Sequence, residues 1–349
     1  MMQNLTSDEI VQRQLTLATH RIHTLPVVVL LPHSRCNCRC LMCDIWRANQ
    51  SRREIARDDL AHHMADLRQL HVRWVVLSGG EALMHSNLWT LCALLKELQV
   101  KVSLLSTGLL LTRFAPDIVR WCDEVIVSLD GSREVHNTIR GVPRAYERLA
   151  DGIAALKAVQ PTFRVTARCV IQRLNYDDLP HIIEAAHALR LEQISFLAVD
   201  VATTAFNRAT PWNTQRVAAV ALSPEAVQHF EDIVEEVIRT YAEDFTSGFI
   251  AERPDKLRRL PRYFGALHGQ GAFPKTVCNA PWVSTVIEAD GTVRPCFFHR
   301  VLGNIHQQPL ADILNSDDAM AFRRHLDVTR DPICRQCVCT LHLDPHKTL

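Results

Sequence analysis

Six short runs dense in Val, Ile and Leu punctuate the first part of the chain, at 27–31, 72–77, 100–105, 124–129, 164–171 and 193–199. Between them, apolar residues recur at helical spacing over 54–70, 87–98, 111–121, 144–159 and 178–189. Repeated strand–helix units imply a parallel sheet, and strand runs that are almost continuously apolar fit a sheet covered on both faces. Six such units predict an α/β fold, a partial (β/α)6 TIM-like barrel whose chemistry sits at the C-terminal ends of the strands. A helix over 6–20 precedes the first strand, capped by Thr6 with Glu9 three residues on.

The alternation stops near Asp200. Residues 200–222 are rich in Thr, Ala, Asn and Pro and read as a loop. Ser223-Pro224-Glu225 then opens a helix to about Glu243, with proline at the first helical position. Residues 248–276 read as irregular and basic. From Cys278 the pattern changes again. Ala289-Asp290-Gly291 forms a hairpin turn between VSTVIE and TVRPCFF, and a helix follows near 309–326. The expected division is 1–24, a helical extension; 25–200, the barrel; 201–277, a helical linker or insert; and 278–349, a small hairpin-and-helix module. No internal repeat or low-complexity tract occurs.

Composition adds mainly exclusions. The 349 residues are 47% hydrophobic and 22% charged with a net charge of +1, an ordinary globular balance that gives no electrostatic reason to expect nucleic acid. A bilayer span needs about 20 apolar residues, and no run approaches that, so no membrane is expected. The start, MMQNLTSDEI, lacks the basic and apolar regions of a signal peptide, which places the protein in a reducing cytoplasm. There the 12 cysteines point to metal or chemistry rather than disulfides. They are clustered: four lie within eight residues near the start and five in the last third. Cys92 and Cys122 lie in helical segments and read as packing residues.

The first cluster, SRCNCRCLMCDIW, directly follows the first strand. Cys36, Cys40 and Cys43 make a C-x3-C-x2-C pattern that can point three thiolates at one iron–sulfur cluster. Three cysteines leave one iron of a cubane open, able to chelate an amine and a carboxylate such as the methionine end of S-adenosylmethionine (SAM). Cys38 complicates this, because C-x-C-x-C-x2-C can also serve a four-thiolate zinc knot.

In this segment the chain resembles the radical SAM family, whose signature is C-x3-C-x2-C after the first strand. The resemblance implies that Cys36, Cys40 and Cys43 ligate a [4Fe–4S] cluster and that Cys38 does not. The position before the last cysteine, often aromatic in the family, is Met42 here and can still pack softly on SAM. The second strand ends in Ser78-Gly79-Gly80-Glu81, which resembles the segment that binds the SAM amino group. Alone it would read as a plain turn. The third strand ends in Ser106-Thr107-Gly108. SLDGSREVHNTIRG resembles the family's fourth-strand region, which implies that Ser128 and Arg140 lie near SAM and that Arg140 pairs with its carboxylate. The alternative for Arg140 is a surface helix-cap contact. On the fifth strand, alternation puts Arg168 and Cys169 on opposite faces, so only one can face the chamber. Cys169 facing inward would be a hydrogen donor; otherwise it packs as a small hydrophobe.

The tail carries C-x12-G-x4-C from Cys278 to Cys296, then Cys334, Cys337 and Cys339. A hairpin brings its ends together, and C-x2-C suits a cluster or zinc. This tail resembles the auxiliary-cluster module of radical SAM enzymes, called SPASM when it has seven cysteines and twitch when shortened to one cluster. The resemblance implies an auxiliary [4Fe–4S] cluster on Cys278, Cys296, Cys334 and Cys337, with Cys339 as a spare able to replace Cys337. A structural zinc site on the same four residues is the alternative.

The family implies an enzyme. A ferredoxin or flavodoxin reduces the cluster, SAM is cleaved to a 5′-deoxyadenosyl radical, and that radical takes hydrogen from the substrate. Assisted by one auxiliary cluster, net oxidation of a small molecule is the expected outcome. The alternatives are crosslinking or epimerisation of a ribosomally made peptide, or a non-catalytic electron-transfer or scaffold protein.

Overall fold

The structure, a computed structural model, describes residues 5–208 and 210–347. A leading helix α1 (Ser7–Thr19) carries the expected capping box: Thr6 Oγ1 accepts from Glu9 N–H, and Glu9 accepts from Thr6 N–H. The alternating part then runs β1 (Val27–Leu30), α2 (Arg57–His62), α3 (Met64–Gln69), β2 (Trp74–Leu77), α4 (Leu88–Glu97), β3 (Lys101–Ser106), α5 (Leu111–Trp121), β4 (Glu124–Ser128), α6 (Arg133–Arg140), α7 (Ala145–Val159), β5 (Arg164–Ile171), α8 (Leu179–Ala188) and β6 (Gln193–Ala198). The strands pair in parallel in the order β6-β5-β4-β3-β2-β1, the partial barrel that the apolar pattern predicts.

Two rows of side chains follow from strand alternation. One row is enclosed: Val102, Leu104, Val125, Val127, Val165 and Ile194 are all 0% exposed. The other row stays partly open along its upper half, at Leu105, Ile126, Ser128, Val170, Ser195 and Leu197. Lower down, the same row is closed by a polar plug. Glu124 takes Lys101 at 2.8 Å and Arg164 at 3.2 Å, and Trp74 Nε1 donates to Ser103 Oγ at 2.7 Å.

Past β6 the pattern misled in several places. The expected loop at 200–222 contains a helix, α9 (Thr214–Val220), whose Asn213 cap accepts from Arg216 N–H. Next come α10 (Pro224–Thr240), started by Ser223 as expected, and α11 (Ala242–Ser247). The supposedly irregular 248–276 holds α12 (Pro254–Leu257) and α13 (Arg259–Leu267). There Leu257, Leu260 and Phe264 are buried at helical spacing. Within the barrel, α6 was not foreseen: its sequence REVHNTIR buries His136, Ile139 and Arg140 instead of an apolar stripe.

The last segment runs α14 (Ala280–Val283), β7 (Ser284–Ile287), β8 (Thr292–Arg294), β9 (Gly303–Asn304), α15 (Leu310–Leu314), α16 (Asp317–His325) and α17 (Pro332–Arg335). The expected 309–326 helix is split in two because Ser316 caps a fresh start, accepting from Ala319 N–H at 3.2 Å. The hairpin β7–β8 turns at Gly291, φ +81°, as expected. Its sheet is continuous with the barrel: β7 pairs in parallel with β1, Val27 opposite Ser284 and Leu30 opposite Ile287. Helix α1 bridges both parts. Glu9 pairs with Arg73 beside β2, while the His20 carbonyl accepts from Arg323 and Trp282 Nε1 reaches the His20 ring.

Because β7 covers the outer edge of β1, a chain ending after residue 277 would expose an unpaired, apolar strand. Such a truncation should form soluble aggregates on size-exclusion chromatography and lose its cooperative melt. A monomeric, cooperatively melting product would contradict this account of the joint.

Candidate functional site

The three-cysteine loop lies across the C-terminal ends of the strands and is pinned from every side. Glu81 N–H, just past β2, donates to the Arg35 carbonyl at 2.9 Å. Contact here is so close that a Cβ at Gly80 would sit 2.2 Å from that same oxygen, so the position admits only glycine. Thr107 Oγ1, past β3, reaches Asn37 Oδ1 at 2.9 Å, and Arg39 N–H donates to the Arg140 carbonyl at the end of α6 at 2.9 Å. Asn49 closes the loop on itself through both Cys36 N–H and the Cys36 carbonyl.

The segment after β6 supplies a second clasp, which the sequence reading missed. Arg208 pairs with Asp200 at 2.6 Å, lies 3.8 Å over the Trp212 ring and donates to the Met42 carbonyl at 3.4 Å. Trp212 Nε1 donates to Asp44 at 2.7 Å, and Arg216 donates to the Leu41 carbonyl at 2.8 Å. The aromatic spacing of Phe206 and Trp212 around Arg208 was the available signal.

Within the loop, Cys38 and Cys40 are buried and Cys36 and Cys43 partly so. Hydrogen bonds to Cys36 and Cys40 hold the Cys38 thiol well above its usual pKa, and the Cys38 donor in turn lowers that of Cys40, with the Arg140 charge helping. Burial pushes the Cys43 thiol up to about 12, a penalty that metal ligation would replace. Four thiols gathered in one short loop, with the Arg140 guanidinium beside Cys40, fit the donor set of an iron–sulfur cluster.

The other candidates divide. Ser78, Gly79 and Gly80 form a partly exposed turn, with Gly79 at φ +111°. Glu81 does not reach that turn's surface: it is 0% exposed, and its carboxylate accepts from Thr107 N–H at 2.8 Å, Thr107 Oγ1 at 2.6 Å, Ser106 Oγ at 3.1 Å and Leu83 N–H at 3.2 Å. Burial raises its pKa while these donors oppose the rise, so Glu81 and Ser106 act as a strut under the turn. Arg140 is no surface contact. It is 6% exposed, ion-paired to the fully enclosed Asp130, and its Nη1 lies 3.5 Å from Cys40 Sγ. Its guanidinium already serves the cluster loop instead of standing open for a carboxylate. Ser128 stays on the open row.

Cys169 needs correction as a catalytic candidate. It sits in the enclosed row, 0% exposed, with Asn175 Nδ2 3.7 Å from its sulfur, and burial drives its pKa far up. Arg168 is the member of that pair on the open face.

In the tail, burial raises the thiol pKa of Cys278, Cys296, Cys334 and Cys337, and each of them also feels one or more of the other tail sulfurs, Cys339 among them, which places the five thiols in one electrostatic neighbourhood. Cys337 is partly buried and Cys339 exposed, with Cys337 Sγ 3.1 Å from the Cys339 carbonyl. A buried histidine that sequence reading overlooked joins them: His299 Nε2 lies 3.2 Å from Cys334 Sγ and 3.8 Å from Asp331. Its place three residues after Cys296 was the only sequence clue. Asp331 also accepts from Cys334 N–H at 2.9 Å, fixing that residue's backbone.

Residues 30–186 match the model of the radical SAM superfamily, and residues 278–338 match SPASM, an iron–sulfur cluster-binding domain. The chain belongs to the radical SAM superfamily. Its cofactors are accordingly a radical SAM [4Fe–4S] cluster, SAM and an auxiliary cluster in the SPASM segment. The chain is 25% identical over 320 residues to an AdoMet-dependent heme synthase of Methanosarcina barkeri, spanning 85% of this chain and 82% of the relative. An Fe-coproporphyrin III synthase of the same organism is 26% identical over 49% of this chain and 43% of the relative. The fold is shared with Streptococcus suis SuiB, solved with its precursor peptide SuiA, at a TM-score of 0.63 and 14% identity over 93% of this chain and 73% of SuiB. No helix among the described residues is long and apolar enough to cross a membrane.

Two outcomes follow. Glu81→Gln puts an amide donor against either the Thr107 or the Leu83 N–H and should cost about 2 kcal/mol, the order of leaving a buried donor without its acceptor. It would be read as a lowered Tm, and an unchanged melt would remove the strut from the account. Anaerobically reconstituted protein should hold about eight irons and a Cys36/Cys40/Cys43→Ala variant about four, as each cubane holds four on cysteine thiolates. A fall from four to none would instead leave the tail to zinc.

Proposed function

We propose that this chain is a radical SAM oxidoreductase acting on a small molecule with a large apolar body, of the carboxylated tetrapyrrole class. One observation carries the reading. The open upper row of the barrel is largely apolar, and the three-cysteine loop lies across its mouth. The two curated relatives named for heme and iron-coproporphyrin III support the same substrate class. When bound, the radical SAM cluster with SAM supplies the means to take a hydrogen atom from an unactivated C–H bond, and the auxiliary cluster supplies an electron acceptor.

The chain's own residues do the rest. Gly80 lets the second unit press against Arg35, so the cysteine loop is held without a side chain between them. Glu81, Ser106 and Thr107 keep that turn rigid from below. Ser78, Gly79 and Gly80 offer the partly exposed turn for the SAM amino group, and Ser128 its hydroxyl from the open row. Arg140 holds positive charge against Cys40. Arg208, Trp212 and Arg216 clasp the far side of the loop and, with the apolar row, keep water from the reacting carbon. A ferredoxin or flavodoxin supplies the electron, and the protein works in the cytoplasm.

The test is anaerobic turnover of reconstituted, reduced protein with SAM, followed by 5′-deoxyadenosine. Adding iron-coproporphyrin III should raise 5′-deoxyadenosine several-fold and consume the porphyrin. No 5′-deoxyadenosine under any condition would overturn the enzyme reading in favour of electron transfer. SAM cleavage that ignores the porphyrin but responds to a peptide encoded nearby would move the substrate to the peptide class.

A further inference from the structure

Most arginines around the reaction chamber are neutralised at contact distance. Arg140 pairs with Asp130, Arg208 with Asp200, Arg216 with Asp44 and Arg164 with Glu124. Arg168 is different. It is exposed in the middle of the open face of β5, in register with Ser128 of β4 and Ser195 of β6. Among the described residues it makes one polar contact, Nε to Ser195 Oγ at 3.4 Å, and no carboxylate lies within ion-pairing distance of it. One acid that feels its charge is Glu252, whose carboxylate is occupied elsewhere: it accepts from Phe196 N–H at 2.9 Å and faces Lys256 at 3.7 Å. Around Arg168 on the same row stand Ile126, Val170 and Leu197, all partly open.

An arginine set among apolar side chains, flanked by two hydroxyls and lacking a protein anion, is half of a recognition pair. Its planar fork of donors suits a carboxylate, and the surrounding surface suits the apolar body that carries it. The carboxylate of SAM is a second source of the same chemistry. Arg168 is open on this face, whereas Arg140 is already committed to Asp130 and Cys40.

We propose that Arg168 is the specificity-determining residue of the chamber, binding a carboxylate of the substrate while Ser195 steadies its guanidinium and the apolar row takes the substrate body. This rests on the reading above that the open face is the substrate chamber, and it narrows the substrate to an apolar-bodied carboxylate.

The experiment titrates anaerobically reconstituted wild type, Arg168→Gln and Arg168→Lys with three probes. These are iron-coproporphyrin III, followed by its Soret band; dodecanoate, followed by calorimetry; and SAM. Iron content and melting temperature serve as folding checks, which an exposed position should pass. Arg168→Gln is expected to weaken porphyrin and dodecanoate binding roughly tenfold or more, as loss of one partner of a charge-assisted pair does. Arg168→Lys should recover part of that loss, and SAM affinity should not move. If wild type ignores the porphyrin yet binds dodecanoate through Arg168, the tetrapyrrole class is wrong and Arg168 keeps its role. If neither carboxylate binds, if Arg168→Gln binds both as wild type does, or if SAM affinity falls instead, the inference is overturned.

Discussion

A carbonyl oxygen at Arg35 and a missing side chain at Gly80 set the geometry of the barrel's mouth. The three-cysteine loop has almost no regular structure of its own, so each of its backbone groups needs a partner from elsewhere. The Gly80 contact brings the loop down onto the second strand–helix unit. Once there, it can be reached by Thr107 from the third unit, by the Arg140 carbonyl from the fourth, and by Arg208 from the segment after the sixth. A side chain at residue 80 would lift the loop, and each of those partners would be left facing a gap.

Charge is handled in the same economical way. Buried ion pairs add little net stability, because desolvation consumes much of the attraction. Asp130–Arg140 and Asp200–Arg208 are better understood as positioning devices. Each places a guanidinium against the cysteine loop, one beside Cys40 and one at the Met42 carbonyl, and each is anchored by a carboxylate that also holds backbone or hydroxyl groups nearby. The loop's sulfur charge is therefore met by fixed dipoles and cations instead of mobile water.

The strands and most barrel helices were legible because apolar spacing is a local signal. The bounds of β5 and α5 match the sequence expectation to the residue, and the Thr6 capping box forms as read. Helix α6 was hidden because it buries a histidine and an arginine where periodicity looks for aliphatic residues. The two cysteine clusters were visible from spacing, but the roles of single polar residues were not. Nothing local distinguishes an enclosed Arg140 from a surface one, or tells which of Arg168 and Cys169 faces the chamber. Those answers depend on which face the helices cover. Likewise, His299 meets Cys334 only after the tail has folded back.

The joint between β1 and β7 has a meaning for how the protein is made. The first strand leaves the ribosome early, yet its outer partner comes near the end of the chain, with Val27 waiting for Ser284. Until then the nascent sheet can grow only on one side, from β2 toward β6, while the opposite edge of β1 stays bare. The cysteine loop that extends from β1 is complete long before the tail cysteines exist. Order of synthesis thus separates the two sites in time: the cysteines of the first emerge together, whereas the second cannot assemble until Cys334 and Cys337, which follow the last strand, have been made.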